Sequence, residues 1–428
     1  MRIDGLTIRN FRKFESLHVE FDSEMNILVG NNGAGKSSVL SALAVGVGSF
    51  FLGIEGVTCP GINKADIRLV TREIGSVLDQ QPQLPVEISC NGVLFDEKIK
   101  WTRTLNTETG STTHKDAEDI KVISRRVQNE IRHGNQDIIL PIISYYGTGR
   151  LWSQKKDTNS LFDKRSANRF NGYTDCLSSS SNEKLMKKWL HKMTMIELQD
   201  QIKLPELTAV ENAVAECFSD SGIVADRVRV RYGVKSEELE VIYLDGDGKW
   251  QKHPFHELSD GFKNTMSLVA DIAYRMAVLN PQLLGDAIKK TTGIVIIDEI
   301  DQHLHPMWQR KILKSLMRIF PKVQFVVTTH SPSIISSSVS SKLIQLEEDS
   351  CSYPAYSYGK DSNSVLSEIM QVSPRPEEIQ TLLDRFNSRL DAENYSQAKA
   401  VLNELIDLLG EDNSDVVGAR AALDFENS

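Results

Sequence analysis

Cysteine pairing is the first thing this chain of 428 residues lacks. Its five cysteines (Cys59, Cys90, Cys176, Cys217 and Cys351) are scattered with no Cys-x-x-Cys spacing, which excludes the familiar zinc and dithiol motifs and offers no disulfide framework. Reduced thiols and cytoplasmic residence are the expectation. No run of 18 or more apolar residues is evident, so no membrane-spanning helix is expected and no membrane partner. The N-terminus shows neither an apolar leader core nor a cleavage site. A basic excess is missing too: 49 Lys and Arg stand against 58 Asp and Glu, a net charge of −9. Strong non-specific DNA binders usually carry the opposite balance, so only a local basic surface remains open. Internal repeats and sustained heptads are absent. What is present is ordinary for a globular protein, 40% hydrophobic and 25% charged, and long enough for one large core with two or three structural units.

Periodicity sketches the order of elements. Residues 1–29 read as strands, ending in the apolar run 25–29; a glycine-rich turn and a helix bearing Val39, Leu40, Leu43 and Val47 follow. Residues 85–104 read as a hairpin, with alternation from Val86 to Ser89, a turn at Asn91-Gly92 and the run Val93 to Trp101, and 105–119 reads as a polar loop. A strand at 138–144 leads into Tyr145-Tyr146-Gly147-Thr148-Gly149-Arg150. Residues 151–220 turn helical and polar, with a serine run at 178–181 that reads as mobile. A second hairpin is expected over 227–244 and a helix over 262–279. Two short β-branched runs, 293–298 and 323–328, suit a parallel sheet covered on both faces. The tail reads as two helices, one face marked by Leu382 and Phe386, the next by Ala398, Val401 and Leu405.

The chemistry is concentrated in a few segments. Gly30-Asn31-Asn32-Gly33-Ala34-Gly35-Lys36-Ser37, followed by Ser38, fits the phosphate-loop pattern between a buried strand and a helix. Successive backbone N–H groups there form an anion nest at a helix N-terminus. Lys36 is placed to reach the β- and γ-phosphates of ATP, and Ser37 to ligate Mg²⁺. The apolar run 294–297 ends in Asp298-Glu299: Asp298 suits the Mg²⁺ shell, and Glu299 suits the general base that polarises the attacking water. Leu258-Ser259-Asp260-Gly261-Phe262 opens the periodic helix, with Ser259 as a cap and Gly261 permitting close backbone approach. His303 and His305, two apart, would not share a helix face for a metal.

This segment resembles the signature of ABC-type ATPases, usually Leu-Ser-Gly-Gly-Gln, which in that family faces the γ-phosphate held by the other subunit. Ser259 and Gly261 match, whereas Asp260 and Phe262 depart. The same resemblance implies Asp301 as the D-loop aspartate and His330 as the switch histidine. It finds no glutamine for the Q-loop, where Tyr145 and Tyr146 stand instead. Arg12, in Asn10-Phe11-Arg12-Lys13-Phe14, is similar to an arginine that approaches the phosphates in DNA-repair heads, or is a plain surface charge. The resemblance implies an α/β fold: an ABC-type P-loop ATPase head of mixed and parallel sheet with flanking helices, a helical insertion and a C-terminal helical tail. The expected divisions are 1–150 (lobe with phosphate loop and hairpin), 151–225 (helical insertion), 226–350 (lobe with signature, Walker B and switch histidine) and 351–428 (helical region).

Transporter heads are shorter between Lys36 and Ser259, and Rad50 and SMC proteins carry a long coiled coil that this chain lacks. The overcoming-lysogenization-defect nucleases place a Toprim domain after the switch histidine; here that segment is largely helical, without the acidic cluster. Tyr145 to Arg150, Glu299-Ile300-Asp301-Gln302-His303-Leu304-His305-Pro306 and Tyr358-Gly359-Lys360-Asp361-Ser362-Asn363-Ser364-Val365-Leu366 resemble the ATPase subunit of the Septu anti-phage system and its retron-associated relatives. That resemblance implies a head-to-head dimer or higher oligomer, a separate HNH endonuclease gated by nucleotide state and docked by the tail, and DNA met through the complex. The alternative is a RecF-like repair clamp touching DNA itself, for which Arg227, Arg229 and Arg231, alternating along a strand, could track phosphates or could be a solvated sheet face.

Overall fold

Three of the apolar runs, Met25–Val29, Val323–Thr328 and Gly293–Ile297, become strands buried along their whole length. They lie side by side in a six-stranded sheet whose order is Cys351–Ser352, Ser341–Leu346, Met25–Val29, Val323–Thr328, Gly293–Ile297 and Ile142–Tyr146. All neighbours are parallel except the short first strand. Burial on both faces explains why these runs show little alternation. The computed structural model describes residues 1–151, 168–178, 183–221 and 226–426, and they divide into two units, Met1–Lys360 and Asp361–Ser428.

A four-stranded antiparallel sheet, ordered Phe14–Glu20, Arg2–Phe11, Val86–Leu94 and Glu97–Leu105, faces the first. The helix Lys36–Gly48 is packed between the two, and Trp101 Nε1 donates to its Gly46 carbonyl at 2.9 Å. Gln324 joins the sheets from within: its side chain accepts from Ile3 N at 2.8 Å and donates to Ile3 O at 2.7 Å. Such a buried amide is stable because each of its groups finds a partner. The stretch Lys36–Gly53 is long and apolar enough to cross a membrane by composition, with mean hydropathy 1.4. That departs from the sequence expectation that no such stretch occurs. Most of the stretch is buried inside the fold.

Other departures have local causes. Asn91 and Gly92 do not turn: they pair with Gly5 and Ile3 inside the strand, and the hairpin reverses at Phe95-Asp96, both at positive φ. The loop expected over 105–119 closes early, because Glu118 opens the helix Glu118–Arg132. Its buried stripe, Ile120, Ile123 and Val127, falls at helical spacing. The strand expected at 138–144 forms at Ile142–Tyr146. In the insertion the helices Glu183–Asp200 and Pro205–Asp220 are described; most of the serine run at 178–181 lies outside the described residues. The second expected hairpin gains a third strand, giving Asp226–Gly233, Glu238–Leu244 and Trp250–Pro254.

The second unit ends in three helices, Glu377–Asp391, Tyr395–Leu409 and Ser414–Glu426. Leu382, Phe386, Ala398, Val401 and Leu405 pack with Val416 into one core. The apolar faces read from the tail are therefore spent on this unit's own interior.

Candidate functional site

The strand Met25–Val29 delivers the chain into a loop that closes at Gly35, the N-cap of the helix Lys36–Gly48. Gly35 has φ 97°, and a Cβ there would lie 2.4 Å from Phe14 Cζ. Glycine alone satisfies both the left-handed turn and the ring against it. The helix begins with no side-chain cap and no acidic residue in its first turn. Its leading N–H groups, from Lys36, Ser37 and Ser38, thus point into a positive helix end together with the loop of Asn31, Asn32, Gly33 and Ala34. Ala34 N donates to Asn31 O at 3.0 Å, which sets the turn of that loop.

Lys36 folds back over the loop, donating to Gly30 O at 2.8 Å and Asn31 O at 3.2 Å. Burial pulls its ammonium pKa below the usual lysine range, while the carboxylates of Asp298, Glu299 and Asp301 push it back up. Residues far apart in sequence therefore converge here: one cation in the shared field of three carboxylates. Asp298 is 4% exposed, and its N–H donates to Tyr146 O at 2.8 Å.

The hydroxyl of Thr328, the last residue of the neighbouring strand, organises this acidic pair. It donates to Asp298 Oδ1 at 2.5 Å and accepts from Glu299 N at 2.7 Å. Glu299 has φ 49°, a conformation that costs a non-glycine residue on the order of 1 kcal/mol and is held by its surroundings. The following turn is closed by Gln302 N to Glu299 O and Leu304 N to Asp301 O, at 3.1 and 3.0 Å. Asp301 Oδ1 is buried without a hydrogen-bond partner among the described residues. His330 lies two residues past the Thr328 strand and is half-buried. Its neighbour Ser331 is anchored by donating to Gln309 Oε1 at 2.7 Å.

Ser259 is exposed and stands at the N-cap position of the helix Asp260–Leu279, but its side chain makes no capping hydrogen bond. Among the described residues no hydrogen bond joins it to the phosphate loop. Its helix meets the acidic turn instead: a Cβ on Gly261 would stand 2.2 Å from His303 O, and Phe262 stacks on Trp308 with centroids 4.4 Å apart. His305 accepts from Met307 N at 3.3 Å as a helix cap. Tyr146 turns away from the loop. Its hydroxyl donates to Asp271 Oδ2 at 2.7 Å, on the same helix, and Arg275 Nε donates to that oxygen at 2.7 Å. Burial, then the Asp271 carboxylate, raises the Tyr146 phenol well above its ordinary pKa.

A family model described as "AAA domain" matches residues 5–221, just over half of the chain. The chain belongs to the AAA domain family. A second model, described as "AAA domain, putative AbiEii toxin, Type IV TA system", matches residues 187–336. The ATPase is 25% identical to the Retron Ec83 probable ATPase of Escherichia coli, over 94% of this chain and 82% of that protein. It is also 25% identical to the Septu protein PtuA of Bacillus thuringiensis, over 92% of this chain and 89% of that one. Among solved structures it is similar to an SMC head bound to the C-terminal winged-helix domain of ScpA. There the identity is 14% and the TM-score 0.48, with 83% of this chain and 97% of that one covered.

Two residues of the ATPase site escaped the sequence reading. Thr328 looked like one more β-branched strand residue; the clue was a hydroxyl at the end of the strand bordering Asp298. Lys13 touches the phosphate loop, donating to Gly33 O at 3.0 Å. Its neighbour Arg12 is tied elsewhere: Nε donates to Asp66 Oδ1 at 2.9 Å and the guanidinium lies 5.3 Å from the Phe11 ring centroid. Nothing local in the sequence announces a partner 54 residues away.

Proposed function

We propose that this ATPase is the nucleotide-driven subunit of an anti-phage defence complex, in which two copies close head to head over ATP and so regulate an HNH endonuclease partner. The observation that carries the reading is the strand order, Met25–Val29 beside Val323–Thr328 beside Gly293–Ile297 in parallel, so that the phosphate loop and the Asp298-Glu299 pair held by Thr328 leave the same edge of one sheet. The names of the relatives, Septu and retron ATPases, support the defence context.

The loop from Asn31 to Ser38 wraps the phosphates with N–H donors, and Lys36 exchanges loop carbonyls for the β- and γ-phosphate oxygens, which are stronger acceptors. The Ser37 hydroxyl and the Asp298 carboxylate form a hard, all-oxygen donor set that suits Mg²⁺. The ion, when bound, neutralises charge developing on the phosphates. Glu299, aimed by Thr328 and by its strained backbone, draws the proton from the attacking water. His330 senses the γ-phosphate. Ser259 and Gly261 of the second copy cover it, and the buried oxygen of Asp301 awaits a donor brought across the dimer. Lys13 supports the loop through Gly33 O, and Arg12 would have to leave Asp66 to approach the phosphates.

In this reading 1–150 and 226–350 make the two lobes of the head, 151–225 its helical insertion, and 351–428 the segment that docks the nuclease. Docking falls to the outer surface of the tail, where Leu408 and Val417 are exposed. DNA is met through the complex, and the assembly works in the cytoplasm.

Co-expression with an HNH protein encoded beside this gene tests the proposal. A stable complex whose cleavage responds to ATP is the expected result. Failure to co-purify, with salt-dependent DNA binding by the ATPase alone, would move the reading to a RecF-like clamp.

A further inference from the structure

The three-stranded sheet of Asp226–Gly233, Glu238–Leu244 and Trp250–Pro254 has two unlike faces. One is buried through Val230, Tyr232, Leu239 and Val241. The other exposes Arg229, Arg231, Trp250 and Lys252, with Arg227 exposed at the irregular start of the first strand. The register sets Arg229 and Lys252 on either side of Ile242, and Trp250 opposite Leu244. The Arg229 guanidinium lies 5.5 Å from the Trp250 ring centroid, and Trp250 remains 49% exposed.

Three carboxylates of this sheet, Glu240, Glu238 and Asp245, are already engaged. Glu240 is buried beneath the cations, 3.3 Å from Arg231 Nε and 2.8 Å from Lys252 Nζ. Glu238 is bound by His256. At the turn, Asp245 accepts from the N–H groups of Asp247 and Lys249 and from Gln251. Four exposed cationic side chains share the sheet with this indole, Arg229 against its ring and Arg231 and Lys252 over Glu240, and make a local basic surface on a chain of net charge −9. That is the charge sign and the aromatic interleaving that single-stranded nucleic acid requires: phosphates meet arginine and lysine, and a base stacks on an aromatic ring. The first strand spans roughly 25 Å, room for about four nucleotides.

We propose that this face binds single-stranded nucleic acid, a base stacking on Trp250 beside Arg229 while Arg227, Arg231 and Lys252 contact the backbone. The inference does not depend on the reading of the nucleotide site.

Fluorescence anisotropy of the full chain with a labelled oligothymidine, an oligouridine and a blunt duplex tests it. Single strands should bind more tightly than the duplex. With about three phosphates contacted, log affinity should fall against log salt with a slope of about −2. Trp250→Ala should weaken the single strand about tenfold, and Arg229→Glu with Lys252→Glu should abolish binding, while both variants retain wild-type ATP turnover. Preference for either oligonucleotide supports the proposal and tells whether DNA or RNA is the source. Failure to bind either strand, equal binding of the duplex, or an affinity indifferent to Trp250→Ala overturns it.

Discussion

The Thr328 hydroxyl donates to Asp298 Oδ1 at 2.5 Å and at the same time accepts the Glu299 N–H at 2.7 Å. One side chain on a neighbouring strand therefore positions both the proposed Mg²⁺ ligand and the proposed base. Thr328→Val keeps the shape but removes one hydrogen bond to the Asp298 carboxylate and one from the Glu299 N–H, at about 0.5–3 kcal/mol apiece. The expected outcome is a fall in kcat of roughly tenfold or more with ATP affinity little changed, and recovery in Thr328→Ser. Phosphate release and calorimetric titration measure the two separately.

Gly261 is where the helix Asp260–Leu279 touches the turn after Glu299. A methyl group there meets His303 O at 2.2 Å, so either the helix or the turn must shift. Gly261→Ala is expected to bind ATP as the parent does yet to lose ATP-dependent self-association. Sedimentation with and without ATP checks this; dimerisation at parental strength would show that the contact has no part in presenting Ser259.

The buried Asp271–Arg275 pair, 2.7 Å apart with side chains 14% and 6% exposed, also holds the Tyr146 hydroxyl. Arg275 Nη1 donates further to the carbonyls of Gly172 and Thr174, at 2.9 and 3.0 Å. Asp271→Ala strands a buried guanidinium and should destabilise the fold by about 3–5 kcal/mol. Tyr146→Phe removes one hydrogen bond to a carboxylate and should cost about 1–3 kcal/mol. Denaturant unfolding at neutral pH compares them, and the ordering should be the larger loss for Asp271→Ala.

The phosphate loop and the strand ending in Asp298-Glu299 were legible because their chemistry is local: glycines at a turn, and a carboxylate at the end of an apolar run. Thr328, Lys13 and the Arg12–Asp66 pair were not, since each acts through contacts that only the tertiary fold creates. Asn91-Gly92 misled for a related reason. The pair has strong turn propensity, but its register against Ile3 and Gly5 draws it into the sheet, and tertiary pairing overrides local preference. The tail's apolar stripes are legible as helical faces because their spacing is local, whereas the third helix Ser414–Glu426 that completes their core carries a weaker stripe of Val416, Ala419 and Leu423.

Glu299 is the proposed general base. In Glu299→Gln the side chain keeps its size and position but cannot take a proton, so ATP affinity should persist, turnover should fall at least a hundredfold, and the ATP-bound dimer should accumulate. Lys36→Ala, measured alongside, should lose nucleotide binding altogether. Single-turnover ATP hydrolysis by Glu299→Gln decides the matter: a slow rate with a trapped dimer is what the geometry predicts, and hydrolysis at the parental rate would contradict it.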